Sequence, residues 1–128
     1  MWRVLVLSLV LPFAGCADET VSGYADPDAV YVLAEIDGKA FDARASISFP
    51  ETGRAFGEAP CNRWSADQTA PYPWLALGPI AATRRACLAM ADEQVFFAAL
   101  ADMTLVEVQG DTLILSSEDG TEMIFRAE

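Results

Sequence analysis

The sequence contains no histidine among its 128 residues. Histidine is the commonest general base near neutral pH and the commonest metal ligand in proteins. Its absence excludes Ser-His-Asp and Cys-His nucleophile systems in their usual forms. The sequence also lacks P-loop and GxGxxG motifs, and its cysteines lack CxxC spacing. We therefore expect a protein without a metal, without a cofactor and without enzymatic activity.

Basic residues are also scarce, with 8 against 19 acidic residues and a formal net charge of −11. Such an excess repels nucleic acid and anionic lipid headgroups, so we expect no nucleic-acid partner. The densest basic feature is Arg84-Arg85, and two adjacent arginines are typical of a solvated or locally paired surface. The acids lie mainly in turns and tails, where turn chemistry accounts for them. A carboxylate-dependent hydrolase is the enzymatic alternative that stays open.

The first sixteen residues, MWRVLVLSLVLPFAGC, form a segment of different composition. Arg3 precedes an apolar run at 4–11, which is too short for a mature transmembrane helix but fits a secretory signal. The ending LPFAGC resembles a bacterial lipobox. We predict a lipoprotein signal peptide at 1–15 and lipidation of Cys16, with ordinary signal cleavage near Cys16 as the alternative. Both interpretations imply export.

Three cysteines are an odd number for an exported protein. If Cys16 is lipidated or removed with the leader, Cys61 and Cys87 remain as a pair in an oxidising compartment. We predict a disulfide between them. The alternative is a reactive thiol, because the arginines nearby in the sequence would activate a neighbouring cysteine.

The rest of the chain divides into a polar start and a region of short strands. Residues 16–29 are acidic and contain Gly23 and Pro27, which predicts a flexible tether before a domain at 30–128. Pairs containing glycine between apolar stretches predict β-hairpins at Asp37-Gly38, Gly110-Asp111 and Asp119-Gly120. Alternating or apolar stretches predict strands at 30–36, 45–49, 54–59, 74–80, 104–108, 112–116 and 121–125.

One stretch, 92–103, has the apolar spacing of a helix, with a stripe formed by Phe96, Ala99, Leu100 and Met103. Asp92 is its predicted N-cap. The C-terminal strands are apolar on both sides, which favours a curved sheet over a flat one with a wet face. We therefore predict an α+β fold, with a small antiparallel curved sheet or half-open β-barrel packed with one main α-helix.

A cluster of aromatic residues has two interpretations. Trp64, Tyr72 and Trp74 either cap the open end of a small barrel, with their polar tips reaching water, or line an apolar groove for a peptide or acyl chain.

An ordered set of motifs resembles the META domain, the family that includes the HslJ-type envelope proteins. The motifs are IDG at 36–38, CNRWS at 61–65, IAATRRAC at 80–87, and a helix in which Glu93, Phe96 and Leu100 follow an E-x-x-F-x-x-x-L pattern. They are followed by an L-x-L meander. The family-motif positions between the two cysteines are Asn62, Arg63, Trp64 and Thr83.

The resemblance implies a small α+β domain in an exported or lipid-anchored protein, from a family without an established enzymatic activity. We predict a non-catalytic lipoprotein of the bacterial envelope that binds a partner or supports envelope integrity under stress. Its partners would be the membrane, through the lipid anchor, and an envelope protein or peptide. Ala17 after the cysteine, where many inner-membrane lipoproteins have Asp, favours the outer membrane. A pilot- or chaperone-like binder of a peptide or acyl chain is the alternative.

Overall fold

The computed structural model describes residues 17–128, so the predicted leader at 1–15 and the predicted acylation site Cys16 lie outside the described residues. No helix within 17–128 has both the length and the apolar character needed to cross a membrane. The elements in this range are a 3₁₀ helix Val21–Gly23, α1 (Met90–Asp102), β1 (Tyr31–Ile36), β2 (Lys39–Ala40), β3 (Ser46–Ile47), β4 (Arg54–Glu58), β5 (Arg63–Asp67), β6 (Ala81–Ala82), β7 (Met103–Gln109), β8 (Thr112–Ser117) and β9 (Glu122–Ala127).

The strands form two antiparallel sheets. One has the order β2-β1-β9-β8-β7, with β3 also paired to β1, and the other has the order β4-β5-β6. A bridge between Ser48 and Phe56 joins the sheets, but they do not close into a barrel. The predicted α+β fold with a curved antiparallel sheet is confirmed.

The predicted hairpins are confirmed, and the backbone conformation of their turns explains why glycine occurs at these positions. Asp37 and Gly38 both have positive φ, at 49° and 78°, which a tight turn between β1 and β2 requires. Gly110 and Gly120 also have positive φ, at 58° and 87°, and they connect β7 to β8 and β8 to β9. Glycine adopts this backbone region without the steric cost of a Cβ atom.

The helix α1 closes one side of the core. Phe96 and Leu100 are fully buried, and Met103, which begins β7, is buried with them. The predicted stripe is therefore core packing. The predicted cap is wrong, because α1 begins two residues earlier, with Ala89 in the N-cap position and without a side-chain cap. Asp92 instead lies in the first turn, where the helix dipole favours a negative charge.

The predicted strand at 74–80 does not form as a continuous strand. Instead of a ladder, this stretch forms one bridge to β7, between Trp74 and Leu105, and one to the end of β5, between Gln68 and Leu77. It spans the gap between the two sheets. The buried side chain of Gln68 fixes it, donating to the carbonyls of Ala70 and Trp74 and accepting the N–H of Ala76 at 2.8 Å.

The predicted tether also needs correction over residues 17–29, which pack against the domain. Val21 and Ala25 are buried, and the ring of Tyr24 stacks on that of Tyr72 at 4.2 Å between centroids. The N–H of Tyr72 donates to the carbonyl of Glu19 at 2.7 Å. The prediction of a tether relied on the polar composition of the segment and did not weigh the few apolar side chains that attach it to the domain.

The carboxylate of Asp18 connects this segment to the turn between β3 and β4. It accepts hydrogen bonds from Ser22, from Thr20 and, at 2.9 Å, from the hydroxyl of Thr52. Partial desolvation raises the pKa of Asp18, but these hydrogen bonds outweigh it and lower the pKa from 3.8 to about 2. Because the folded pKa is depressed, the stabilisation is present above pH 3.8 and is lost as the pH falls towards 2.

We expect the 3₁₀ helix to loosen between about pH 4 and pH 2, because protonation of Asp18 removes an acceptor for three hydroxyl groups. Amide hydrogen exchange of Tyr24 and Ala25, whose N–H groups both donate to the carbonyl of Val21, measures this after correction for intrinsic rates. Asp18→Asn should lower their protection already at pH 7. Asp28→Asn is the matched control, because the Asp28 carboxylate accepts no hydrogen bond within the described residues. Constant protection in the wild type from pH 5 to pH 2 would contradict the assignment.

Candidate functional site

Cys61 and Cys87 form a disulfide, with their Cα atoms 5.6 Å apart and 26 positions apart in the sequence. Cys61 lies in the turn between β4 and β5, and Cys87 lies between β6 and α1. The predicted pairing is confirmed, so neither sulfur is a free thiol. A loop of this length stabilises the fold by about 3–4 kcal/mol in the chain-entropy picture.

Asn62 is the hydrogen-bonding centre beside the disulfide. Its buried amide oxygen accepts the N–H of Arg85 at 2.6 Å and the hydroxyl of Thr83 at 2.9 Å. Its amide nitrogen donates to the carbonyl of Arg85 at 3.0 Å and to the carboxylate of Glu93 at 2.8 Å. All four hydrogen-bonding positions of the amide are therefore used, and Asn62 has a structural role.

Glu93 is the functional-site residue whose role the sequence did not predict. The sequence assigned Glu93 only a place in a helix motif, but the residue is 4% exposed. One carboxylate oxygen accepts from Asn62, and the other accepts the N–H of Cys61 at 3.0 Å. Glu93 therefore attaches the start of α1 to the turn that carries Cys61. The signal available in the sequence was its place in the E-x-x-F-x-x-x-L pattern.

Trp64 lies in the core beneath this site. Its ring is 3% exposed and packs against Phe96 at 6.2 Å between centroids, and its Nε1–H donates to the carbonyl of Ser46 at 3.2 Å. The indole covers Gly57 on the neighbouring strand so closely that a Cβ atom there would collide with it. Trp64 is therefore a packing residue, and glycine is required at 57.

The three aromatic residues interpreted either as a barrel cap or as the lining of a groove occupy different environments. Tyr72 is covered by Tyr24, and its hydroxyl accepts the N–H of Val108 at 3.0 Å. Trp74 is 57% exposed and pairs through its backbone with β7. A cavity of about 380 Å³ is lined by Trp64, and neither Tyr72 nor Trp74 lines it. The structure does not bring the three side chains together in one groove.

Residues 81–88 form a continuous exposed segment, which includes β6 and ends at the fully exposed Leu88. Four attachments hold it: the disulfide, the contacts of Asn62, the pairing of β6 with β5, and a pair of hydrogen bonds between Arg63 and Thr83 of 3.0 and 3.1 Å. We call the exposed side chains Arg63, Arg84, Arg85 and Leu88 the disulfide surface. Beside them lies a cavity of about 440 Å³, lined by Glu58, Ala59, Pro60, Cys61, Asn62, Arg63, Thr83 and Arg85.

The ion pairs within residues 17–128 are formed by arginines outside the disulfide surface. Arg44 contacts Glu58 at 3.5 Å and Glu128 at 2.7 Å, and Arg54 contacts Asp67 at 2.6 Å. Among the described residues, no carboxylate lies within 4.0 Å of the guanidinium nitrogens of Arg63, Arg84 or Arg85. Across the same part of the chain, no group of three or more Cys, Asp or Glu side chains is placed to hold a metal ion.

The sequence model of the META domain matches residues 27–128, which is most of the chain. The protein belongs to the META domain family. Membership indicates a protein of the bacterial-envelope type and leaves its function unspecified. No curated protein matches this chain.

Two solved structures share the META fold described above. An NMR structure of a protein from Burkholderia xenovorans is 22% identical, with a TM-score of 0.60, over 88% of this chain and 83% of that one. A second NMR structure is 21% identical, with a TM-score of 0.59, over 80% of this chain and 94% of that one. At these identities, the likeness supports the fold alone.

We expect Glu93→Gln to destabilise the protein by about 2 kcal/mol, because a glutamine amide group would face one of the two donors that the carboxylate accepts. Urea unfolding at pH 7 with the disulfide intact measures the loss. Asp92→Asn is the matched control, since it removes the same charge from the same turn at an exposed position, and it should cost less than about 1 kcal/mol. Equal losses in both variants would show that the helix dipole, and not the attachment to Cys61 and Asn62, accounts for Glu93.

Proposed function

We propose that this META-domain protein is a non-catalytic, lipid-anchored protein of the bacterial envelope that acts by binding a partner, and that the outer membrane is its location. A lipobox-like ending at Cys16 supports the anchor, and the absence of histidine from the sequence supports a role other than catalysis. Support for envelope integrity under stress would be the physiological consequence of this binding.

The observation that carries the proposal is the exposed segment 81–88. Eight consecutive exposed residues bury little surface of their own, yet a disulfide, the buried Asn62 and the pairing of β6 with β5 attach them to the domain at several points. Fixing a surface before binding lowers the conformational entropy lost on association. An exposed segment that is attached at several points and carries an exposed Leu88 therefore suits a binding surface.

The position of Asp18, the second described residue, supports an anchor at Cys16. Asp18 contacts Thr52 in the β3–β4 turn, and the disulfide lies beyond the opposite end of β4. Five strand residues span about 13 Å at the usual rise per residue. A lipid on Cys16 would thus join the domain at one end of the β4–β5 hairpin and leave the disulfide surface at the other.

We expect radiolabelled fatty acid to be incorporated into the wild-type full chain and to be lost in Cys16→Ser, because acylation requires the thiol. Ala17→Ser is the matched control, since it makes a similarly small change at the next residue and should be labelled as wild type. Fractionation of the labelled protein reports the membrane. Equal labelling of the wild type and Cys16→Ser would end the lipid-anchor part of the proposal.

We expect a photoreactive amino acid at position 86 of the full chain to crosslink a discrete partner in intact cells. The control position is 111, an exposed residue in the turn between β7 and β8. A product formed from 86 and absent from 111 supports binding through the exposed segment. Identical products from both positions, or products from neither, would contradict it.

A further inference from the structure

The disulfide surface concentrates positive charge on an acidic protein. The chain has eight basic residues, and three of them, Arg63, Arg84 and Arg85, lie on this surface while the net charge is −11. All three side chains are exposed, and the carboxylates that form ion pairs within residues 17–128 bind Arg44 and Arg54 instead. The surface therefore offers several cations to an external anion.

Two acids beside this surface, Glu58 and Glu93, already have partners. Glu58 lines the same cavity as Arg63 and Arg85, but its carboxylate contacts Arg44 at 3.5 Å. Glu93 lies beneath the surface, and its two oxygens accept hydrogen bonds from Cys61 and Asn62. Neither acid forms an ion pair with the three arginines, so neither occupies their exposed guanidinium groups.

The surface also offers an apolar contact and an open sheet edge. Leu88, one residue after Cys87, is fully exposed. β6 pairs with β5 on one side and ends the three-stranded sheet, so its other edge has no strand partner in the described sheet. An open edge binds an extended peptide through backbone hydrogen bonds, while neighbouring side chains select the sequence. An extended segment along β6 would lie beside the stretch of chain that continues into Arg84, Arg85 and Leu88.

We propose that the disulfide surface binds an extended acidic segment of a partner protein, with carboxylates on Arg63, Arg84 and Arg85 and an apolar side chain against Leu88. This inference rests on the proposed binding function and names its partner chemistry. Arginine suits carboxylates because its planar guanidinium donates two parallel hydrogen bonds.

The overall charge favours a short peptide segment over a larger polyanion. Nucleic acid or an anionic membrane would extend past the patch and meet the repulsion of the acidic remainder of the protein. A peptide segment covers only the patch, and charges beyond a Debye length of about 10 Å at 0.1 M salt are screened from it. Asp18, two residues after the proposed anchor, contacts Thr52 at the other end of β4, so the anchor would hold the patch away from the lipid surface to which the protein is attached.

The test uses the full chain purified in nonionic detergent micelles and a fluorescein-labelled peptide of alternating Glu and Thr with one central Leu. Fluorescence anisotropy should show saturable binding that weakens with added salt. We expect Arg84→Gln/Arg85→Gln to weaken binding by about tenfold or more, because each removed guanidinium loses a charge-assisted contact. Lys39→Gln/Arg126→Gln is the matched control, with the same change in net charge at exposed positions elsewhere, and it should weaken binding by less than about twofold.

The same peptide with Gln in place of Glu should not bind. Equal losses in the two double variants would overturn the assignment to the disulfide surface, as would failure of the acidic peptide to bind. Inorganic phosphate, and phosphatidylglycerol added to the micelles, are tested as competitors against sodium chloride of equal ionic strength. Displacement by either anion beyond the effect of the salt would identify a phosphate or lipid-headgroup site and overturn the peptide assignment.

The failure of this inference is distinguishable from failure of the proposed function. If the crosslinked product from position 86 persists unchanged in Arg84→Gln/Arg85→Gln, binding through the exposed segment stands and the acidic partner is wrong. If the product disappears in that variant and persists in Lys39→Gln/Arg126→Gln, both proposals are supported in the cell.

Discussion

The contact between the Asn62 amide and the Glu93 carboxylate is the interaction on which the disulfide surface depends. It joins the β4–β5 turn to the start of α1, and the remaining bonds of Asn62 attach the segment after β6. A buried carboxyl group costs free energy unless hydrogen bonds replace its hydration. Here both of its donors, Asn62 and the Cys61 N–H, come from one turn. Separating helix and turn would leave polar groups on both sides unpaired, so each element specifies the position of the other.

The disulfide and this polar contact act on different states of the chain. A disulfide stabilises mainly by restricting the unfolded chain, and it fixes only two points of the folded one. The exposed segment 81–88 has little burial to hold it, so the hydrophobic effect cannot select its conformation. Asn62 does so by bonding to both the N–H and the carbonyl of Arg85. The core residue Trp64 lies two positions after Asn62, on β5.

Sequence patterns predicted the parts of this fold that depend on residues close together in the chain or on composition. Hairpins at glycine turns, the stripe of Phe96 and Leu100, and the cysteine pair depend on spacing or composition that a single sequence displays. The structure differs from the sequence predictions where contacts between residues far apart in the chain determine the conformation. The stretch 74–80 is apolar enough for a strand, but Gln68 and β7 hold it as a bridge between sheets. Glu93 has the same local pattern whether it faces water or Cys61, so only the tertiary fold shows its role.

The distribution of charge determines how the disulfide surface can bind an acidic partner. A protein with net charge −11 repels an acidic partner at long range, so electrostatic steering does not favour their encounter. At physiological ionic strength the Debye length is about 8 Å, which screens this repulsion until the surfaces are close. Attraction then depends on the arginines facing the partner, and a flexible segment would lose entropy on placing them. Because Asn62 and the disulfide fix the backbone of Arg84 and Arg85 beforehand, a small local patch can oppose the field of the whole protein.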